Sequence, residues 1–461
     1  MNTKQILLVI FGTFFIISCS DVLENAQGNV VSPEKDYTIP LEKALSSLED
    51  FMIETGMRLK TKGDLNGYIE ECFTVSNPAT KSDSSAYQEV MHVVNFVDNG
   101  GYALLAADDR IPDDIIAITD SGHVSESDFT KPMFDRTPSE NDDLSVCDFD
   151  EMVDSGILAT EQHEVIYECL LYAMQQLETT TDDPEKIGSP CDPGPGGGGT
   201  GGGTGGSPVV YKWEVVKEVP RMLNTAWTQR TPNNDIFNKY CPEVGLINRT
   251  IAPAGCVCIA TSQIIAYHEY PDLTCNDIQI DYSEIKEIYS YDNVWGTGTE
   301  TSREMLASFC IYIGTLCNTQ YHSIFNKSWG FAWPTNAKSC LEVLGYQNVS
   351  LNYGYDDNTV LASLDNGCPV FMAAVAAAVS GHAWVIDGYI MRDYVSRYGD
   401  VKKSQTLVHC NWGWHGDSNG YFTSGIFHVD DVVISDDIST TQYSDRYWYG
   451  FRTITYEKPQ N

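Results

Sequence analysis

Apolar and polar positions alternate along the chain in patterns that predict two helices and a hairpin in its first part. Residues 41–52 and 164–177 place apolar side chains at helical intervals. Between them, residues 91–96 and 102–106 are apolar runs on either side of an Asp-Asn-Gly-Gly turn signal at 98–101, which predicts a β-hairpin. These elements predict a small α+β domain with a binding or covering role.

The second part of the chain starts with a helical pattern and continues with strands. Residues 259–268 carry apolar side chains at helical spacing, directly after Gly255-Cys256-Val257. Four later runs are short, apolar or aromatic and bounded by Gly, Asn and Asp, and we expect them to form one antiparallel sheet: residues 370–375, 383–389, 406–411 and 421–429. A helix followed by a sheet predicts the α+β class.

A glycine-rich run separates the two parts. Residues 194–207 are GPGGGGTGGGTGGS, and such a sequence buries too little surface to offset the entropy of ordering it. We therefore predict a linker over 189–208 between an amino-terminal domain, residues 19–188, and a carboxy-terminal domain, residues 209–461. The length of 461 residues agrees, because about 150 residues per domain predicts two to four domains.

Charge excludes one class of partner and is unevenly divided. The 28 Lys and Arg against 64 Asp and Glu give a net charge of −36, so the backbone of a nucleic acid would be repelled. Residues 1–208 carry a net −26 and residues 209–461 a net −10. The sequence has no CxxC pair and no histidine pair at metal-ligand spacing, so we expect no metal, and nothing implies an organic cofactor.

The amino terminus predicts export. Residues 1–18 combine Lys4 with a short apolar run, which is the composition of a signal peptide. The Ile-Ile-Ser sequence before Cys19 is typical of a bacterial lipobox, in which Cys19 is lipidated and becomes the first residue. A plain secretory signal with an incidental cysteine is the alternative. The acidic tether after Cys19 predicts an outer-membrane or cell-surface lipoprotein, attached to the membrane through its lipid.

Cys256 is the candidate nucleophile. A cysteine at the start of a helix lies at the positive end of the helix dipole, which favours thiolate over thiol, and Gly255 allows a substrate to approach the backbone. The alternative is a buried, inert cysteine. The spacing of the 14 cysteines does not support a disulfide framework, and we expect some to be buried small side chains: Cys241, Cys275, Cys310, Cys317, Cys340, Cys368 and Cys410.

A nucleophilic cysteine needs a base within hydrogen-bond reach, and His382 is the best candidate. It stands at the start of a predicted strand and follows Cys256 by 126 residues, close to the interval of about 130 in papain-type enzymes. His409 and His415 are rivals that flank an Asn-Trp-Gly-Trp segment. His268 lies too far along the helix to meet the thiol.

Three further side chains are candidates for the site. The Asn411 carbonyl can accept from the second imidazole nitrogen, and Trp412 can exclude water, although core packing explains a tryptophan there equally well. Gln229 lies 27 residues before Cys256, and its amide can join the Cys256 backbone N–H in an oxyanion hole.

The sequence resembles the streptopain-like cysteine peptidases in three motifs that follow the family's order. They are GCVCIATSQIIAYHEYP at 255–271, GHAWVIDG at 381–388, and NWGWHG at 411–416. In the first part, VNF at 94–96 with the later GGY and ADDR segments resembles the family's inhibitory propeptide. Three motifs in this order between residues 255 and 416 are far more specific than any one of them.

The resemblance implies a papain-like catalytic domain made as a zymogen, whose propeptide covers the active site until it is cleaved. It implies that Cys256 is the nucleophile and that His382 is the general base and acid. It also implies that Gln229 is an oxyanion donor and that Asn411 with Trp412 supports the histidine. We expect a secreted, lipid-anchored endopeptidase that acts on proteins or peptides, is inhibited by its own propeptide, and has a catalytic domain released after processing. The alternatives are an inactive surface-binding relative and a papain-fold amidase or transglutaminase.

The chain departs from the family pattern at two places. Cys258 replaces a small residue two positions after the nucleophile, and it either oxidises with a neighbour or packs in the helix. Residues 432–445 replace a glycine-rich loop that borders the family's substrate cleft, so substrate specificity does not transfer.

Overall fold

The computed structural model describes residues 37–76, 88–130, 161–179, 209–245, 249–293, 295–324, 327–376, 380–428 and 449–458. The predicted signal peptide with Cys19, the linker over 189–208 and the loop at 432–445 lie outside these residues. None of the helices described is both long enough and apolar enough to cross a membrane.

Helices and strands are numbered in chain order within the described residues. The helices are α1 (Leu41–Glu54), α2 (Glu126–Thr130), α3 (Glu161–Thr179), α4 (Cys256–His268), α5 (Tyr282–Glu287), α6 (Glu300–Leu316), α7 (Pro334–Val343) and α8 (Asp357–Asp365). Short 3₁₀ helices occupy Leu65–Gly67, Val97–Asn99 and Ser424–Phe427. The strands are β1 (Ile69–Ser76), β2 (Glu89–Phe96), β3 (Tyr102–Ala106), β4 (Ile115–Thr119), β5 (Tyr211–Val219), β6 (Glu243–Val244), β7 (Thr250–Ile251), β8 (Thr274–Cys275), β9 (Ile278–Gln279), β10 (Gln320–Ile324), β11 (Lys327–Phe331), β12 (Gln347–Tyr353), β13 (Val370–Ala376), β14 (Ser380–Ser396), β15 (Val401–Asn411), β16 (Gly420–Thr423) and β17 (Tyr449–Glu457).

Most elements predicted from periodicity are confirmed. The two amino-terminal helices are α1 and α3, the hairpin is β2 with β3, and the predicted helix at 259–268 is α4, which begins at Cys256. The strand predicted at 421–429 is wrong over Ser424–Phe427, because the chain forms a 3₁₀ helix there. Ile426 and Phe427 are buried in that turn, so their apolar character marks the core and not a strand.

Strands from both parts of the chain form one antiparallel sheet. Its order is β1-β2-β3-β4-β16-β15-β14-β13-β17-β12, and β5 pairs with the second half of β14. The two parts join where β4 pairs with β16, with Ile118 opposite Tyr421. The α+β class predicted from the sequence is therefore confirmed, with a sheet that continues across the predicted domain border.

Helices cover both faces of this sheet. Successive side chains of β14 point to opposite faces, and each set packs against a different helix. Ala383 and Val385 pack in an apolar cluster with residues of α4, whereas Trp384 and Ile386 pack in a second cluster with residues of α3. Helix α4 is apolar on nearly every side, as expected of a helix enclosed by other elements. The fold thus places the helix that begins at Cys256 against the strand that contains the candidate histidine.

Candidate active site

Cys256 is the first residue of α4, and the backbone before it is tightly packed. Its side chain is half-buried. Gly255 has φ 93°, in the region that favours glycine, and a Cβ there would lie 2.8 Å from the carbonyl oxygen of Gly330. A Cβ on Gly330 would in turn lie 2.6 Å from the carbonyl oxygen of Pro253. Both positions therefore require glycine, and β11 fixes the backbone at the start of α4.

His382 is held by the backbone of the Asn-Trp-Gly-Trp segment. Its Nε2 lies 2.8 Å from the carbonyl oxygen of Trp412, and only 2% of the residue is exposed. Because a carbonyl oxygen can only accept, Nε2 carries the proton in this hydrogen bond. The nitrogen that can take a proton from a thiol is then Nδ1.

The tryptophan that stacks on His382 is Trp414. The ring centroids of His382 and Trp414 are 4.8 Å apart at an interplanar angle of 29°, whereas the Trp412 ring is 6.4 Å away. Trp412 is buried, with its backbone N–H donating to Asn419 and its indole N–H to Ser418. The covering role predicted for Trp412 therefore falls to Trp414, which belongs to the same segment.

Asn411 supports this segment from the side of α4. Its Nδ2 donates to the Thr225 carbonyl at 2.7 Å, and its Oδ1 accepts from Gln263 Nε2 and from the Gly413 N–H, each at 3.3 Å. Asn411 lies opposite Val385 in the β14–β15 register, and Val385 packs toward α4, so the amide faces the helix. Its contribution to His382 therefore passes through the turn and the Trp412 carbonyl.

Gln229 lies beside the start of α4. Its carbonyl oxygen accepts from the N–H of Ala254 at 2.9 Å, two residues before Cys256. The preceding residue, Thr228, forms a β-bridge with Trp414. The segment that contains Gln229 thus runs between the start of α4 and the ring that stacks on His382, and the oxyanion role assigned to Gln229 stays a prediction.

The rivals His409 and His415, and also His268, have surroundings that differ from those of His382. His409 is buried, with Nδ1 2.6 Å from Asp387 Oδ1 and Nε2 3.7 Å from Asp120 Oδ2. Burial disfavours its charged form, but the two carboxylates outweigh burial and raise the pKa of His409 to about 9. His268 bonds to Tyr456, and burial lowers its pKa to about 4. His415 is exposed.

The cysteines other than Cys256 that were singled out in the second part are buried free thiols. Cys258 packs inside α4 with its sulfur 3.3 Å from the Cys310 carbonyl oxygen, and burial raises its pKa. Cys256 thus differs from its neighbour in α4 by its partial exposure. In the described part of the chain, no three His, Cys, Asp or Glu side chains converge as a metal ion would require.

The amino-terminal part contacts the turn that follows Trp414. Ser121 Oγ donates to the Gly416 carbonyl oxygen at 2.7 Å, and the Asp120 N–H donates to the Asn419 carbonyl oxygen at 2.7 Å. Asn419 also accepts from the Trp412 N–H at 2.8 Å. The same turn therefore contacts the predicted propeptide and fixes the residue whose carbonyl holds His382.

Residues 227–422 match the model of the Peptidase C10 family. Streptopain from Streptococcus pyogenes serotype M1 is 28% identical over 237 residues, which cover 46% of this chain and 56% of streptopain. Streptopain from serotype M28 is 26% identical over 237 residues, again 56% of its length. The match thus spans little more than half of these curated relatives. The predicted resemblance to the streptopain-like family is confirmed by the family model and these relatives.

Two solved structures are also similar. A fragment of Prevotella intermedia prointerpain A is 18% identical with a TM-score of 0.48, covering 84% of this chain and 100% of the fragment. The active wild-type interpain A cysteine protease from the same organism is 24% identical with a TM-score of 0.35, covering 52% of this chain and 95% of that one.

Proposed function

We propose, from the match of residues 227–422 to the Peptidase C10 family, that the protein is a cysteine endopeptidase made as a zymogen. One observation carries the proposal. The Trp412 carbonyl holds His382 Nε2–H, so that Nδ1 is the basic nitrogen, in a turn that packs against the first turn of α4. The turn lies close to this helix, because a Cβ built on Gly413 would lie 3.4 Å from Ile259 Cγ2.

Acylation follows from this arrangement. The Cys256 thiol gives its proton to His382 Nδ1, and the sulfur attacks the carbonyl carbon of the peptide bond. The oxyanion accepts hydrogen bonds from the Cys256 N–H and the Gln229 side-chain amide. The imidazolium then protonates the amine nitrogen as the C–N bond breaks, which leaves a thioester and releases the amine product.

Deacylation uses the same groups. Water gives a proton to His382 Nδ1 and attacks the thioester carbonyl, and the tetrahedral intermediate expels the Cys256 sulfur with release of the carboxylic acid product. The Nε2–H bond to the Trp412 carbonyl stabilises the imidazolium in both steps. The stacked ring of Trp414 limits access of bulk water to the pair.

The amino-terminal part, residues 19–188, is the proposed inhibitory propeptide. Support comes from its pairing with the catalytic part through β4 and β16 and from its contacts to the turn at 416–420. A further link is the ion pair between Asp114 and Arg392, whose guanidinium is 1% exposed. Cleavage in the glycine-rich linker would free the catalytic domain, residues 209–461.

Export and lipid attachment at Cys19 are part of the proposal and rest on the sequence of residues 1–19. Metabolic labelling with a fatty acid in a bacterial host should label the wild-type protein and not Cys19→Ser. Equal labelling of both proteins would contradict the lipid anchor and leave the peptidase proposal untouched.

The peptidase proposal is tested with lipid-free protein, residues 20–461, under reducing conditions. Wild type should cleave denatured casein and lose its amino-terminal part with time, whereas Cys256→Ala should do neither. Cys258→Ala is the matched control, because it removes a buried thiol from the same helix and should retain activity.

Three results would overturn parts of this account. Casein cleavage by Cys256→Ala would remove Cys256 from the mechanism. Alkylation of Cys256 by iodoacetamide without proteolysis would favour an amidase or transglutaminase. Full activity of uncleaved wild type would overturn the zymogen assignment.

A further inference from the structure

Gln263 is a fully buried amide on the nucleophile helix. It follows Cys256 by seven residues, which is close to two helical turns, so the two side chains leave the same face of α4. The exposed fraction of Gln263 is 0%. A side-chain amide buried this completely requires hydrogen-bond partners for both its oxygen and its nitrogen.

Both ends of the amide are hydrogen-bonded. Gln263 Oε1 accepts from the Thr225 hydroxyl at 2.6 Å, and Nε2 donates to Asn411 Oδ1 at 3.3 Å. Asn411 Nδ2 closes the ring by donating to the Thr225 carbonyl oxygen at 2.7 Å. That last bond fixes the orientation of both amides, because Nδ2 must face the carbonyl and Oδ1 must then face Gln263 Nε2.

The three residues of this hydrogen-bonded ring, Thr225, Gln263 and Asn411, lie in three different segments of the site. Thr225 begins the segment that reaches Gln229, whose carbonyl is bonded to the residue two before Cys256. Asn411 ends β15 and precedes Trp412, whose carbonyl holds His382. The three buried side chains therefore connect the elements that carry the nucleophile, the histidine support and the predicted oxyanion donor.

We propose that Gln263 is a positioning residue, which sets the register between the helix that starts at Cys256 and the turn that holds His382. The inference rests on the proposed peptidase function. Gln263 does not contact the reacting atoms and acts through Asn411 and Thr225. An error of about 1 Å in such a site can lower the rate about 100-fold, so loss of the ring should lower kcat and leave KM nearly unchanged.

The test compares three single variants of the full chain, each checked for a native thermal transition. Gln263→Leu removes both ends of the amide at similar volume. Thr225→Val removes one hydroxyl donor without a change of shape. It tests the ring independently if Gln263→Leu does not fold. Ser262→Ala is the matched control, since it removes a buried polar group from the same helix outside the ring; its hydroxyl lies 4.0 Å from the Cys258 sulfur.

Two measurements are made on each variant. The first is kcat and KM with a peptide substrate. We expect kcat to fall about 10- to 100-fold in Gln263→Leu and less in Thr225→Val, with KM within about twofold and Ser262→Ala unchanged. The second is the pH profile of Cys256 alkylation by iodoacetamide. Its midpoint should move upward by about one pH unit in Gln263→Leu, because the thiolate loses its aligned imidazolium partner.

The alkylation profile keeps this inference separate from the peptidase proposal, because it needs no substrate. A wild type without proteolysis but with a Gln263-dependent alkylation profile would overturn the peptidase function and support the positioning role. Wild-type kcat and alkylation in both ring variants would overturn the positioning role. So would an equal loss in Ser262→Ala, or a loss confined to KM.

Discussion

His409 lies between carboxylates from the two parts of the chain, and its protonation should make the stability of the full-length protein depend on pH. Asp387 belongs to the catalytic part and Asp120 to the predicted propeptide. Arg221 lies 3.1 Å from Asp120, and the ring of Tyr421 packs edge-on against the His409 ring. The pKa of His409 rises from 6.5 to about 9 in the folded protein. At about 1.4 kcal/mol per pKa unit, protonation of His409 adds about 3 kcal/mol to the free energy of unfolding.

The sign follows from the raised pKa. Between about pH 6.5 and pH 9 the folded protein keeps a proton on His409 that the unfolded chain releases. The contribution of this proton to the free energy of unfolding is therefore fully present below pH 6.5 and is lost as the pH rises through 9. Asp120→Asn removes one of the two carboxylates and should reduce that loss. It also leaves Arg221 without its ion pair, but this cost is constant over the same pH range because Arg221 stays charged.

The assay is urea unfolding of full-length Cys256→Ala, followed by tryptophan fluorescence at intervals from pH 6 to pH 9.5. The free energy of unfolding should fall by about 3 kcal/mol, and by about 1–2 kcal/mol in the Asp120→Asn double variant. Asp272→Asn, an exposed aspartate, is the control and should follow the parent. A flat profile in the parent, or an undiminished slope in Asp120→Asn, would refute the reasoning.

Three further predictions concern the site and the interface. Gln229→Ala should lower kcat about 10²- to 10³-fold with little change in KM, measured on a peptide substrate, because it removes an oxyanion donor; a wild-type kcat would exclude that role. Gly255→Ala should lower the melting temperature and abolish activity, since its Cβ would lie 2.8 Å from the Gly330 carbonyl oxygen; a native melting curve would contradict the packing. Asp114→Asn in the Cys256→Ala background should cost about 3–5 kcal/mol in urea unfolding, because it leaves the Arg392 guanidinium buried without its ion partner; a loss below about 1 kcal/mol would contradict a buried ion pair.

Local pattern was sufficient for the elements whose apolar positions repeat within one segment. Helices α1, α3 and α4 and the β2–β3 hairpin follow from periodicity and turn residues. The full length of β14 does not, since its second half contains Arg392 and Asp393, which interrupt an apolar run. Arg392 is buried with partners that are distant in sequence, Asp114 just before β4 and Gln405 in β15, and such partners leave no local signal.

The sequence also predicts the residues of the site better than it predicts the contacts between their atoms. Motif order selected Cys256 and His382 as candidates, because the chemistry requires those residue types, and their catalytic roles stay predictions. It did not show that the partner of His382 Nε2 is a backbone carbonyl, since every residue carries one. Nor did it separate Trp412 from Trp414, because the two share one motif and only the course of the turn decides which ring stacks on the imidazole.

The charge imbalance between the two parts acquires a structural meaning at their interface. Two carboxylates of the more anionic part face cations of the other part, Asp114 with Arg392 and Asp120 with Arg221. Removal of the amino-terminal part would leave both arginines without these partners and His409 with a single carboxylate. The carboxy-terminal part alone would then hold fewer protons than the full-length protein between about pH 6.5 and pH 9, so in that range rising pH should favour release of the proposed propeptide.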